Sequence, residues 1–227
     1  MTLLEKFAAV SFKGPGFGQI RLAAALLVVA HHAWWGTHDL LYGYSGGLVH
    51  AGLFAVIVFF CLSGFLVTPS LARSGDTIKF ATHRMLRIFP ALIVVVAASM
   101  LLLGPIATRF TWAEYFTDRQ FYLYAKNILT LTAHFLPGVA YRDGEPAVIN
   151  GALWTLNIEV ASYIALAVLG ILGVLRHRSL VLAVFLVAYA IYVLPTFDAA
   201  SAVRVPSRFA TFISLFVYFI AGAALFL

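Results

Sequence analysis

Six stretches of the chain are apolar almost without interruption: 20–36, 46–68, 88–103, 153–175, 179–194 and 208–227. A helix needs about 20 mostly apolar residues to cross a bilayer. The pattern therefore predicts about six spanning helices, the first of them short. Pro69, the Gly104-Pro105 pair and Pro195 set the predicted ends of the second, third and fifth, because proline lacks an N–H and crowds the preceding turn. The stretch from 105 to 151 is long for an unstructured connection. Its middle, 121–136 (FYLYAKNILTLTAHFL), is apolar on one side and broken by Lys126, Asn127 and His134. That predicts an interfacial or re-entrant helix on the outer side. The following GVAYRDGEPAVING, punctuated by Gly and Pro, reads as a polar external loop. The expected fold class is an all-α polytopic transmembrane helix bundle. Residues 1–227 form one membrane-embedded domain in this reading, without repeats. The last apolar segment runs to Leu227, so the domain is expected to be partial, as a fragment of a longer protein or a truncated gene product.

Composition agrees with the pattern. Of the 227 residues, 63% are hydrophobic and 11% charged, with a mean hydropathy of +0.97. No soluble shape of this size hides so much apolar surface, and a disordered chain is excluded on the same ground. A basic, short first segment could be a signal peptide, but His31, His32 and two tryptophans interrupt its far end. A Trp pair at a helix end suits a membrane interface.

The net charge of +6 is distributed in a way that gives orientation. Lys6, Lys13, Arg21, Arg73, Lys79, Arg84, Arg87, Arg176 and Arg178 fall at alternate helix ends, together with only Glu5 and Asp76. The other loops hold six basic residues and six acids. Lys and Arg favour the cytoplasmic side, so the N-terminus is expected to be cytoplasmic. No basic tract interleaves with polar residues, and nucleic acid is not an expected partner; the lipid bilayer is. The single Cys61 excludes an intrachain disulfide and a Cys-rich metal site.

Polar groups inside spans are costly and mark candidate function. Glu159 is the only acid in a predicted span, and Thr155, Glu159, Ser162 and Tyr163 fall on one helical stripe. The stripe either faces a wet cavity or holds a neutral Glu that locks two helices together. His32 follows Arg21 by eleven residues, nearly three turns and about 16 Å along one face. His31 lies about 100° away round the helix, suited to packing or to supporting its neighbour. Counted from their helix ends, His32 and Glu159 reach a similar depth in the outer half, which suits a general base with a carboxylate partner. A satisfied core histidine is the plainer alternative. Arg84 and Arg87, at i and i+3, could grip phosphate oxygens with planar forks of donors. Ordinary anchoring at the cytoplasmic face explains their charge equally simply.

Together these residues resemble the acyltransferase-3 family of membrane acyltransferases, which includes bacterial polysaccharide O-acetylases. Arg21 and His32 match its Arg, ten residues, His motif. FFCLSGF at 59–65, with Phe60, Ser63 and Gly64, matches its second-helix motif. RMLRIFP at 84–90 matches R-x-x-R-I-x-P. LWTLNIEVASY at 153–163, with Trp154, Glu159 and Tyr163, matches LW-[ST]-L-x-x-E followed by an aromatic. The family usually has about ten spanning helices. Many members carry an acid two residues before the FF pair, where this chain has Ile57.

The resemblance implies a bacterial inner-membrane enzyme. Its donor would be a cytoplasmic acyl-CoA, most often acetyl-CoA, with no metal. Its acceptor would be a sugar hydroxyl of a glycan or glycolipid, as in polysaccharide or lipopolysaccharide modification. His32 would be the catalytic histidine, Arg21 would orient the donor or the site, Arg84 and Arg87 would bind CoA phosphates, and Glu159 would support the base or position the acceptor. The rival readings are a glycolipid or acyl-sugar transporter or flippase, and an inactive truncated subunit.

Overall fold

The computed structural model describes residues 16–32, 40–46, 49–141, 143–197 and 207–227. The architecture is all-α and suited to a multi-pass membrane protein. In chain order the helices are α1 (Phe17–Ala30), α2 (Leu40–Tyr44), α3 (Ala51–Ser74), α4 (Thr77–Ala107), α5 (Trp112–Thr117), α6 (Arg119–Ala125), α7 (Trp154–Ile171), α8 (Arg178–Phe197) and α9 (Ser207–Phe226). Four are long and apolar enough to cross a bilayer: α3, α4, α9, and α7 with the 3₁₀ turn before it; α1 and α8 are shorter apolar helices. Glu5, Lys6, Lys13 and the tryptophan pair of the first segment lie outside the described residues.

Proline does not end the helices where the sequence suggests. Pro69 lies within α3 and Pro90 within α4, and α8 continues past Pro195. Helix α4 passes through Gly104-Pro105 by loosening into a π-helical stretch, Ser99–Leu103. The freed backbone finds other partners, as intramembrane prolines require. The Tyr115 hydroxyl donates to the Met100 carbonyl at 2.8 Å. It occupies the space a Cβ on Gly104 would need.

The chain divides into two compact units, 1–77 with 165–227 and 78–164. In the first, α9 lies along α3 at backbone-to-backbone range. A Cβ on Gly64 would overlap the Phe219 carbonyl, and one on Gly222 would overlap the Cys61 carbonyl. Small residues allow this approach where lipid offers no hydrophobic drive between helices. Phe60, Ser63 and Gly64 are all buried in α3, as are Phe219, Ile220 and Ala223 in α9.

In the second unit, Leu92, Val96 and Met100 of α4 pack with Tyr115, Tyr124, Leu136, Val139 and Ala147. The stretch expected as one interfacial helix is divided: α6 passes into a 3₁₀ turn, Lys126–Leu129, and then into extended chain. Thr130 adopts a left-handed backbone, φ 58°. Asn127 then holds the extended strand by bonding both the N–H and the C=O of Ala133, at 2.9 and 2.8 Å. Further bonds run from Ile149 N to His134 O and from Ala147 N to Val139 O. The connection between α4 and α7 is thus a folded piece with its own core. Helix α5 begins with a reciprocal cap between Thr111 and Glu114. Donation from the Thr111 N–H, then its hydroxyl, holds the Glu114 carboxyl below the usual carboxylate range.

Candidate active site

His32 closes α1 in a short π turn. Its Nδ1 lies 2.8 Å from the Val28 carbonyl, four residues back. A carbonyl can only accept, so Nδ1 carries a proton, and in the neutral ring Nε2 presents its lone pair. The side chain is exposed, which leaves that lone pair open to a reactant. The orientation of this ring comes from its own helix. Arg21, on the same helix, is half-buried.

His31 is half-buried. Its ring stacks on His50 at 4.9 Å with planes 8° apart and meets His32 edge-on at 5.5 Å and 88°. His50 in turn caps α3, its Nδ1 accepting the Leu53 N–H at 3.2 Å. Sequence reasoning passed over His50. Its signal was a polar residue directly before an apolar run, in a position where Ser, Thr, Asp and Asn are the usual caps.

On α7 the polar stripe largely satisfies itself. Thr155 donates to the Ala152 carbonyl at 3.0 Å and the buried Ser162 to the Ile158 carbonyl at 2.8 Å. The Tyr163 hydroxyl donates to Glu159 Oε1 at 2.5 Å. The sequence placed the two residues on one face of the helix but did not pair them with each other. Trp154 opens the helix and is half-buried.

Arg84 and Arg87 are treated differently by the fold. Arg84 is half-buried, with its guanidinium carbon 6.0 Å from the centre of the Tyr163 ring. Phe80, one turn earlier, meets the same ring edge-on at 6.3 Å. The Arg84 Nε is buried and has no hydrogen-bond partner among the described residues. Arg87 is exposed. A cation over a ring whose hydroxyl donates to a carboxylate is a favourable electrostatic series. Arg84, Tyr163 and Glu159 thus form one cluster, all within residues 78–164.

A model of the family, described as an acyltransferase domain, matches residues 16–227. The chain belongs to the acyltransferase-3 family. Among curated proteins, this acyltransferase-3 chain is 35% identical over 159 residues to an O-acetyl transferase of Shigella phage Sf6, covering 65% of this chain and 43% of that protein. It is 34% identical over 173 residues to nodulation protein 10 of Rhizobium leguminosarum bv. viciae, covering 67% of this chain and again 43% of the relative. The chain therefore spans less than half the length of these relatives. No solved structure matches it. In this acyltransferase-3 chain the FFCLSGF motif holds the α3–α9 crossing through Gly64. The RMLRIFP and LWTLNIEVASY motifs meet at Arg84 and Tyr163.

Proposed function

We propose that the chain carries the proton-accepting part of a membrane O-acyltransferase. The enzyme moves an acyl group, acetyl in the first instance, from cytoplasmic acyl-CoA to a sugar hydroxyl of a surface glycan or glycolipid. It lies in the bacterial inner membrane with its N-terminus in the cytoplasm, where the excess of Lys and Arg supports that orientation. The observation that carries the reading is the geometry of His32, whose Nδ1–H is held by the Val28 carbonyl and whose Nε2 is open. Family membership and the O-acetyl transferase relative support the reaction class.

In the proposed step, His32 Nε2 takes the proton of the acceptor hydroxyl as its oxygen bonds to the thioester carbon. The carbon–sulfur bond breaks, and the departing CoA thiolate receives the proton. Arg21 orients the donor or the site. Arg87, exposed on α4, suits CoA phosphates, and Arg84, half-buried three residues before it, offers its Nε–H to an oxygen of the donor. Glu159, already bonded by Tyr163, positions the acceptor or supports the base.

The test is His32→Ala in proteoliposomes given acyl-CoA and a glycan acceptor. Turnover should fall about 10²–10⁴-fold, the usual worth of general acid–base catalysis, with acyl-CoA binding little changed. Glu159→Gln should resemble it if the two act together. The double variant should then be no worse than the more damaging single one. Normal turnover by His32→Ala overturns the reading.

A further inference from the structure

Three imidazoles meet where α1 ends and α3 begins, and the proposed function uses only one of them. His32 is exposed, and two interactions define its ring: the Val28 carbonyl at Nδ1 and the edge-on contact with His31. His31 is held from the other side by a near-parallel stack on His50. The backbone at Gly52 leaves room for it. A Cβ there would come within 2.5 Å of His31 Cδ2 and 2.9 Å of Cγ, so the ring would have to move. His50 cannot drift either, because its Nδ1 accepts the Leu53 N–H at the first turn of α3. Each ring is thus fixed by the next, and the series ends on a helix cap.

We propose that His50, through His31, is a positioning residue for His32: the stack holds the His32 ring in the one orientation that keeps Nδ1 on the Val28 carbonyl. The proposal rests on the reading of His32 as the base. An exposed histidine without this support would rotate into water, lose the carbonyl and populate both tautomers. Only the Nδ1–H form, ring in place, presents Nε2 as the acceptor.

Two properties of His50 are separable by substitution. Asparagine caps a helix well but has no ring. Phenylalanine stacks but cannot accept the Leu53 N–H. Two readouts are taken on the whole chain in proteoliposomes: the ¹⁵N spectrum of labelled histidines, with the His32 signals assigned by their loss in His32→Gln, and kcat against KM for acyl-CoA transfer. The wild type should show His32 as a single Nδ1–H tautomer. His50→Asn should keep the melting temperature but show both tautomers, with kcat reduced about 10- to 100-fold, the scale of a small misplacement of a catalytic group. Its KM for acyl-CoA should be unchanged. His50→Phe should melt lower yet keep the single tautomer. Gly52→Ala, which displaces the His31 ring without touching the cap, should match His50→Asn and serves if the phenylalanine variant does not fold.

A single Nδ1–H tautomer retained in both His50→Asn and Gly52→Ala overturns the proposal, whatever the turnover of those variants. Failure of the functional reading has a different signature: His32→Ala turns over normally while the tautomer still responds to His50.

Discussion

Asn150 lies three residues before the LW-containing motif and has a left-handed backbone, φ 52°. Its amide donates to Ser99 Oγ at 2.6 Å and to the Tyr124 hydroxyl at 3.0 Å, tying the start of α7 to α4 and α6. Replacing Asn150 by Ala has two consequences. Tyr124 is fully buried, and stranding its hydroxyl costs about 1–3 kcal/mol. Ser99 is spared, because its own hydroxyl still donates to the Val95 carbonyl. Alanine adopts a left-handed backbone less readily than asparagine, which adds about 1 kcal/mol. The sum is about 2–4 kcal/mol, and at about 2–4 °C per kcal/mol for a chain of this size the melting temperature should fall about 4–16 °C. Thermal unfolding in lipid nanodiscs, followed by intrinsic fluorescence, measures it. Asn150→Gly should recover the backbone part only. In a Tyr124→Phe background, Asn150→Ala should cost only the backbone part, since no hydroxyl remains to be stranded. An Asn150→Ala protein that melts with the wild type, or an equal loss in both backgrounds, refutes the reasoning.

Arg84→Gln and Arg87→Gln should differ, because only Arg84 sits over Tyr163. Arg87→Gln should raise the KM for acyl-CoA about tenfold or more with kcat kept, as for lost charge-assisted bonds of about 1.5–3 kcal/mol. Arg84→Gln should also lower kcat, and identical kinetics of the two variants would argue against separate roles. Gly222→Val should part α3 from α9 and lower the yield of folded protein far more than Ala221→Val, read by size exclusion in detergent. Burial, reinforced by Tyr124 nearby, pushes the Tyr115 hydroxyl up to about 12. Its neutral form is favoured by folding, so that stability is complete below the ordinary tyrosine value of 10.0 and is lost as pH rises towards about 12. Melting curves between those limits should show steeper alkaline loss for the wild type than for Tyr115→Phe.

The six apolar segments, their order and the motifs on them were legible because a membrane helix is a local property: a run of apolar residues of sufficient length. Segment ends were less legible. The rule that proline stops a helix failed at Pro69, Pro105 and Pro195, since a spanning helix has no water to compete for its backbone and continues by local rewinding. Within the site, the common face of Glu159 and Tyr163 followed from i, i+4 spacing, but the bond between them did not. The difference between Arg84 and Arg87 did not, because it depends on which of two neighbouring guanidiniums meets an aromatic ring about 80 residues later in the chain. The same holds for His31 and His50, and for the Asn127 clamp on Ala133, where each partner is set by the path of the chain between them. Periodicity carries no record of such meetings.

The glycine-lined crossing of α3 and α9 sets a schedule for biosynthesis. The groove at Gly64 is made early, and the helix that fills it arrives about 160 residues later. At about 5–20 residues per second, α3 waits about 8–30 s in the bilayer before its partner exists. Meanwhile residues 78–164, which form a compact unit with their own core, are fully synthesised and free to pack. The part that holds Arg84, Tyr163 and Glu159 is therefore ready first. The part that holds His32 is closed only when Gly222 has left the ribosome and found the Cys61 carbonyl. Until that moment this close-fitting surface is open to lipid and to any other helix with small residues in the same spacing.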